Sequence, residues 1–195
     1  MSFIFQEGDF SSYSNVNLYE SRGAILGTTY YQQAKTTVFI SHKHNDLKDL
    51  KGIIGFLENN YNVKAYIDSQ DPSMPKKISD ETAKIIKDRI NRCKKFILLA
   101  TNNAIESKWC NWELGYGDAK KYRDHIALFP MKPRGSYDYQ YKGSEYLLIY
   151  PYISYYNGTE KYRNGSFITQ GYYVNQLSDD GSSTIITPLS TWLNT

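Results

Sequence analysis

Between residues 36 and 153 the chain alternates short apolar runs with segments whose apolar residues recur at helical spacing, a rhythm few folds accommodate. Thr37-Val38-Phe39-Ile40-Ser41, Val63-Lys64-Ala65-Tyr66-Ile67, Lys95 to Ala100, His125 to Pro130 and Tyr146 to Tyr150 are strand-sized, and the first and third read as fully buried strands. Between them, Leu47, Leu50, Ile53, Ile54 and Leu57 define one helix, with Asn45 and Asp46 as caps and Asn59-Asn60 as a stop. Ser79 opens a second, with Asp80 and Glu81 in its first turn and Ile86, Ile90 and Cys93 facing inward. A third runs from about Ser107 to Tyr122. Ser69 to Lys77, which holds Pro72 and Pro75, and the polar stretch Thr101 to Glu106 read as loops. Such alternation implies parallel strands joined by right-handed crossovers. The expected fold class is therefore α/β: a flavodoxin-like parallel sheet of about five strands with helices on both faces.

Outside that region the patterning fades. Residues 1–35 read as an N-terminal extension that wraps the domain of residues 36–153. Residues 154–195 read as a Tyr-rich, hairpin-bearing β appendage packed on it, because Asn157-Gly158 and Asn164-Gly165 are hairpin signals. Most of the 19 tyrosines lie away from the middle of the chain, where they build strands or contact surfaces.

Composition narrows the function classes. At 195 residues, 41% apolar and 22% charged, the chain suits one globular domain with decorations, and no run approaches the ~18 apolar residues of a membrane span. A net charge of +3, with bases spread among acids, leaves no footprint for nucleic acid. The first ten residues lack the basic region and apolar run of a secretory signal, so a cytoplasmic location is expected. Cys93 and Cys110 are too few for a disulfide framework and lack metal-ligand spacing, and His42 and His44 alone make a poor metal site. Neither a metal nor a bound cofactor is expected.

In a doubly wound sheet, ligands bind beyond the carboxyl ends of the strands, which selects His42, Lys43, His44, Asp68 and the loop to Lys77. Phosphate-binding loops are missing, since Gly115 and Gly117 fall inside a helix. The third helix carries the most informative constellation, Ser107-Lys108-Trp109-Cys110-Asn111-Trp112-Glu113-Leu114. Trp109, Trp112, Tyr116 and Ala119 form a stripe with Glu113 at its rim, and Trp109 and Glu113 are neighbours four residues apart. A carboxylate against two indoles is placed for chemistry; the plainer alternative is a surface pair with Lys120 or Lys121. Trp112 and Tyr116 read as core, and Asp68 suits a loop-stabilising role as well as a substrate contact.

These residues resemble a known family. Thr37 to His42 is similar to the first-strand motif of TIR domains, Val63 to Asp68 to their second strand, and Ser69 to Lys77 to their BB loop. Trp109-x-x-x-Glu113, between Ser107 and Leu114, resembles the motif that carries the catalytic glutamate of NAD-cleaving TIR enzymes. The resemblance spans about residues 36–153 and implies that NAD is the substrate and Glu113 the catalytic carboxylate, acting at the nicotinamide ribose. It further implies that Trp109 walls the site and that Phe39, Ser41, His42 and Lys43 contact the dinucleotide, Lys43 as a phosphate partner. The layout is similar to small bacterial antiviral TIR proteins of the Thoeris type. It implies ADP-ribose or a cyclic isomer as a signal, self-association through TIR contacts and a downstream effector. Two other readings stand beside it: a non-catalytic TIR interaction module, and a nucleoside deoxyribosyltransferase-like enzyme that also sets a carboxylate at an anomeric carbon.

Overall fold

The computed structural model describes residues 4–15, 36–67, 79–121 and 123–195, so Asp68 and the Ser69 to Lys77 loop lie outside the described residues. Its centre is a sheet of β2 (Thr36–Ser41), β3 (Val63–Tyr66), β4 (Lys95–Ala100), β5 (Ile126–Lys132) and β6 (Tyr152–Tyr156). These pair in the order β3-β2-β4-β5-β6, every pairing parallel. The order reverses between β2 and β4, the switch point at which doubly wound folds bind ligands. The short strand β1 (Phe5–Gln6) pairs parallel with the end of β5 at Met131 and Lys132. The Tyr-rich C-terminal appendage is an antiparallel hairpin, β7 (Gly171–Leu177) and β8 (Thr184–Pro188), which continues the sheet beyond β6.

Alternate strand residues feed two cores, as the two-residue period of a strand requires. Val38, Ile40, Ile97 and Leu99 pack with Leu50, Ile53, Ile54 and Leu57 of α1 (Leu47–Asn60) and with Leu189, Trp192 and Leu193 of α6 (Leu189–Asn194). Phe39, Phe96 and Leu98 pack with Ile86 and Ile90 of α2 (Asp80–Arg92) and with Cys110 and Leu114 of α4 (Lys108–Lys120). Both cysteines are buried free thiols. The start of α2 is a capping box: the Ser79 hydroxyl accepts from the Thr82 N–H while the Thr82 hydroxyl accepts from the Ser79 N–H. Gly52 lets α1 lie against the N-terminal segment, because a Cβ there would fall 2.4 Å from the Phe10 carbonyl oxygen.

Several sequence expectations change. Tyr146 to Tyr150 is not a strand: Tyr146–Ile149 forms the one-turn helix α5, and the fifth parallel strand follows it at Tyr152–Tyr156. A five-residue apolar run does not distinguish strand from helix by period, and here Tyr146 is held by a hydrogen bond from its hydroxyl to Asn111 Oδ1 (2.9 Å). The Thr101 to Glu106 stretch contains a helical turn, α3 (Asn102–Ile105), nucleated by Thr101, whose hydroxyl accepts from the Ala104 N–H at 3.0 Å. His125 ends a 3-10 turn ahead of β5, which runs on to Lys132. The long hairpin turns at Asp180-Gly181, where Gly181 has φ +68°. Asn164-Gly165 sits, as its hairpin signal implies, at the tip of a small antiparallel turn inside the β6–β7 connection, where Lys161 bridges Phe167 and the Gly165 N–H donates to the Tyr162 carbonyl (2.9 Å).

Candidate active site

The site begins where β2 ends. Phe39 and Ser41 share the strand face that looks toward α4, and Ser41 lies level with Leu98 on β4, at the carboxyl end of the sheet. Helix α4 starts at Ser107, whose hydroxyl accepts from the Cys110 N–H, and turns Cys110, Glu113, Leu114 and Gly117 inward. Gly117 allows the close approach: a Cβ there would sit 3.2 Å from the Phe96 ring. That approach carries Glu113 to the end of β2, where its Oε2 accepts a 2.5 Å hydrogen bond from the Ser41 hydroxyl.

Glu113 is therefore not a rim residue of the aromatic stripe; it is 1% exposed. The inward face follows the spacing i, i+3, i+4, i+7, and the stripe of Trp109, Trp112 and Tyr116 is only half-buried beside it, with Ala119 exposed. The three rings stack in sequence, Trp109 on Trp112 (4.9 Å between centroids) and Trp112 on Tyr116 (6.2 Å). The Lys87 ammonium of α2 lies 5.4 Å from the centre of the Tyr116 ring. Trp112 and Tyr116 thus border the core rather than fill it. Lys121, offered as a surface partner for Glu113, instead donates to the Cys93 carbonyl.

The other sequence candidates fall into place around this pair. Phe39 is fully buried beneath the site, sandwiched between Phe96 (5.5 Å, 14°) and Tyr66 (5.6 Å, 30°). His42 is buried just past the end of β2, with Nδ1 3.4 Å from the Ile40 carbonyl oxygen. Lys43 is half-buried in the loop that leaves β2. Ser41, Glu113 and the underlying Phe39 are brought together; Trp109 stands one turn before Glu113 on α4, and His42 and Lys43 flank the group from the loop.

One set of residues in this region escaped the sequence reading. Asp46 occupies the N-cap position of α1 yet makes no capping bond. Its buried carboxylate instead accepts from the Thr101 hydroxyl (2.5 Å) and from Asn103 Nδ2 (2.9 Å) across the sheet end. An Asp before a helix reads as a cap, and nothing in the local sequence announces a partner 55 residues away. Farther along the same end, Tyr141 is buried and donates from its hydroxyl to the Ala100 carbonyl (2.8 Å), which ties the loop after β5 to the end of β4. Burial pushes its phenol well above the usual tyrosine range.

A five-stranded parallel core with a buried carboxylate at its switch point defines a doubly wound α/β module, whose ligands bind beyond the carboxyl ends of the strands. The TIR domain family matches residues 38–162, and the chain belongs to that family. It is 33% identical, over 165 residues, to a probable 3′ cyclic ADP-D-ribose synthase ThsB′ of Bacillus cereus (strain MSX-D12), a match that covers 77% of this chain and 83% of that protein. It is also 34% identical over 82 residues to a putative cyclic ADP-D-ribose synthase TIR2 of Cytobacillus dafuensis, covering 40% of this chain and 21% of that one.

Proposed function

We propose that this protein cleaves the N-glycosidic bond between nicotinamide and ribose in NAD and releases nicotinamide together with a cyclic ADP-ribose isomer, with Glu113 as the catalytic carboxylate. The observation that carries the reading is the buried Glu113 carboxylate held by Ser41 at the sheet's switch point. The names of both relatives, cyclic ADP-D-ribose synthases, supply the product class.

The chemistry fits one carboxylate. The leaving group is already a cationic pyridinium, so the bond between ribose C1′ and the ring nitrogen breaks with its electron pair going to nicotinamide, and no general acid is required. Positive charge then develops on the ribose, where a nearby anion stabilises the transition state. Capture of C1′ by a nucleophilic atom of the same molecule, with loss of its proton, closes a ring. Capture by water, also with loss of a proton, gives ADP-ribose. Ser41 orients Glu113, Trp109 walls the site, Phe39 supports it from beneath, and His42, Lys43 and Asp68 are the dinucleotide contacts, Lys43 as a phosphate partner. Residues 36–153 carry this chemistry and the flanking segments pack on it. The product acts as an antiviral signal read by a downstream effector, and TIR self-association governs activity.

The test is incubation of concentrated protein with NAD, with products resolved by mass spectrometry beside Glu113→Gln. Glutamine retains an acceptor for Ser41 and the buried volume, so the variant should fold. Nicotinamide release that disappears in the variant is expected, and a second product at the mass of NAD minus nicotinamide identifies the cyclic isomer, whereas one additional water marks hydrolysis. Failure of the wild-type protein to release nicotinamide at any concentration would leave a TIR interaction module, and cleavage of deoxynucleosides alone would mark a deoxyribosyltransferase-like enzyme.

A further inference from the structure

Asp46 stands where α1 calls for a capping side chain, and its carboxylate turns away from that role. Residues that break a local rule in favour of a distant contact concentrate at functional sites. The contacts it makes instead bridge two loops at the carboxyl end of the sheet. The 3-10 turn His44–Asp46 follows Ser41, His42 and Lys43, and the Asp46 N–H donates back to the Lys43 carbonyl at 2.8 Å. On the far side, Thr101 and Asn103 begin α3, which leads directly into the Ser107 cap of the helix that bears Glu113.

A carboxylate at this position accepts both bonds at once. The Thr101 hydroxyl already accepts from the Ala104 N–H, and its proton goes to Asp46 Oδ2; Asn103 Nδ2 donates to Oδ1. Both carboxylate oxygens serve as acceptors; an Asn at 46 keeps the bond from Asn103 through its carbonyl but meets the Thr101 hydroxyl with an amide N–H2, which reverses that bond and removes its charge. The arrangement gives the site two ties between β2 and the α3–α4 segment. One is Ser41 to Glu113; the other is Asp46 to Thr101 and Asn103.

We infer that Asp46 is a positioning residue whose carboxylate locks the loop bearing His42 and Lys43 to the start of α3, and so fixes that loop relative to Glu113. In its kinetic consequence this rests on the NAD reading above: the lock sets how the dinucleotide is held and leaves the reacting carboxylate in place through Ser41.

The experiment compares wild type, Asp46→Asn and Asn103→Ala in steady-state NAD cleavage, thermal melting, and backbone hydrogen exchange read by mass spectrometry. Asp46→Asn is expected to raise KM for NAD about tenfold or more, the scale of a lost charge-assisted hydrogen bond, with kcat changed less than about threefold. Amides of residues 42–46 should exchange faster, while those of residues 110–117 on α4 keep their protection. Asn103→Ala, at an exposed residue, should raise KM several-fold in the same direction. A lower melting temperature with KM unchanged in both variants would overturn the proposal, since a brace for stability alone predicts that result. If Asp46→Asn does not fold, Asn103→Ala decides by the same criterion. If the wild-type protein cleaves no NAD, the functional reading fails by itself and exchange decides the lock: faster exchange at residues 42–46 in the variants upholds it, and unchanged exchange overturns it.

Discussion

At the scale of single residues, the Ser41 to Glu113 bond is the contact on which the site turns. A buried carboxylate needs compensating donors, and a hydroxyl fixed by a sheet supplies one without conformational cost at the moment of reaction. Ser41→Ala should therefore lower kcat for NAD cleavage by about 10- to 100-fold, corresponding to ~1.5–3 kcal/mol for a hydrogen bond to a charged group, with KM little changed. Steady-state kinetics check this, and an unaltered kcat would show that Glu113 is held by other groups. The sequence singles out Glu113 through Trp109-x-x-x-Glu113, but its burial was not legible. A helical-period reading seeks large apolar side chains and settles on the tryptophans. The face that turns inward holds Cys110, Glu113, Leu114 and Gly117, whose small members let the helix approach and whose charged member is the point of the approach. Asp46 was misread for a related reason, because its partners are remote in sequence.

Among the elements, four of the five strands of the parallel core and the three long helices were legible, since each is a run of the right period bounded by caps or turn residues; the fifth strand lies at Tyr152–Tyr156, beyond the Tyr146 to Tyr150 run that the sequence offered. Helices α3 and α5 were not; four residues are too few to display a period, and their existence depends on the Thr101 cap and on the Tyr146 contact with Asn111. The contact between α1 and the N-terminal segment was equally silent, because a glycine inside a helix gives no sign of what it must admit. Gly52→Ala removes that allowance. The added methyl meets backbone atoms of Phe10, at 2.4 Å from the oxygen and 2.8 Å from the carbon, rather than a side chain able to swing aside. The expected cost is about 1–3 kcal/mol, with the segment around Phe10 displaced from the helix. Thermal melting together with limited proteolysis of residues 4–15 tests it, and wild-type stability with an intact segment would contradict the close packing.

For the molecule as a whole, the end of the sheet opposite the site is closed by α6. There Lys95, fully buried, lies 4.6 Å from the centre of the Trp192 ring and donates to the Asp124 carbonyl (3.2 Å) and the Thr195 hydroxyl (3.4 Å). Burial first, and the neighbouring Lys94 second, lower its amine from 10.5 to about 8. Below that pH the folded and unfolded chains both carry the proton, and the folded chain bears the cost of burying it. Between about 8 and 10.5 the folded amine is neutral while the unfolded one stays charged, so the contribution of Lys95 to stability rises with pH. Lys121, lowered chiefly by burial, acts in the same direction. Cys93 acts in the opposite one: burial raises its thiol from 9.0 to about 12, so its contribution is lost as pH climbs above 9.0. Between pH 8 and 9 the lysine effects stand nearly alone, and Lys95→Met should reduce the gain in melting temperature across that interval. Parallel melts of both proteins at pH 7, 8 and 9 read the difference, and equal slopes would assign the effect elsewhere.

Closure by α6 also orders events in time. Everything that forms the Ser41–Glu113 pair lies between residues 36 and 120, whereas Leu189, Trp192 and Leu193 complete the core against strands made far earlier. Chains fold as they emerge from the ribosome, at roughly 5–20 residues per second, so the carboxyl end of the sheet can assemble several seconds before its opposite end is sealed. A chain that folds as it emerges would bring Ser41 and Glu113 together before Leu189, Trp192 and Leu193 are available to complete the core.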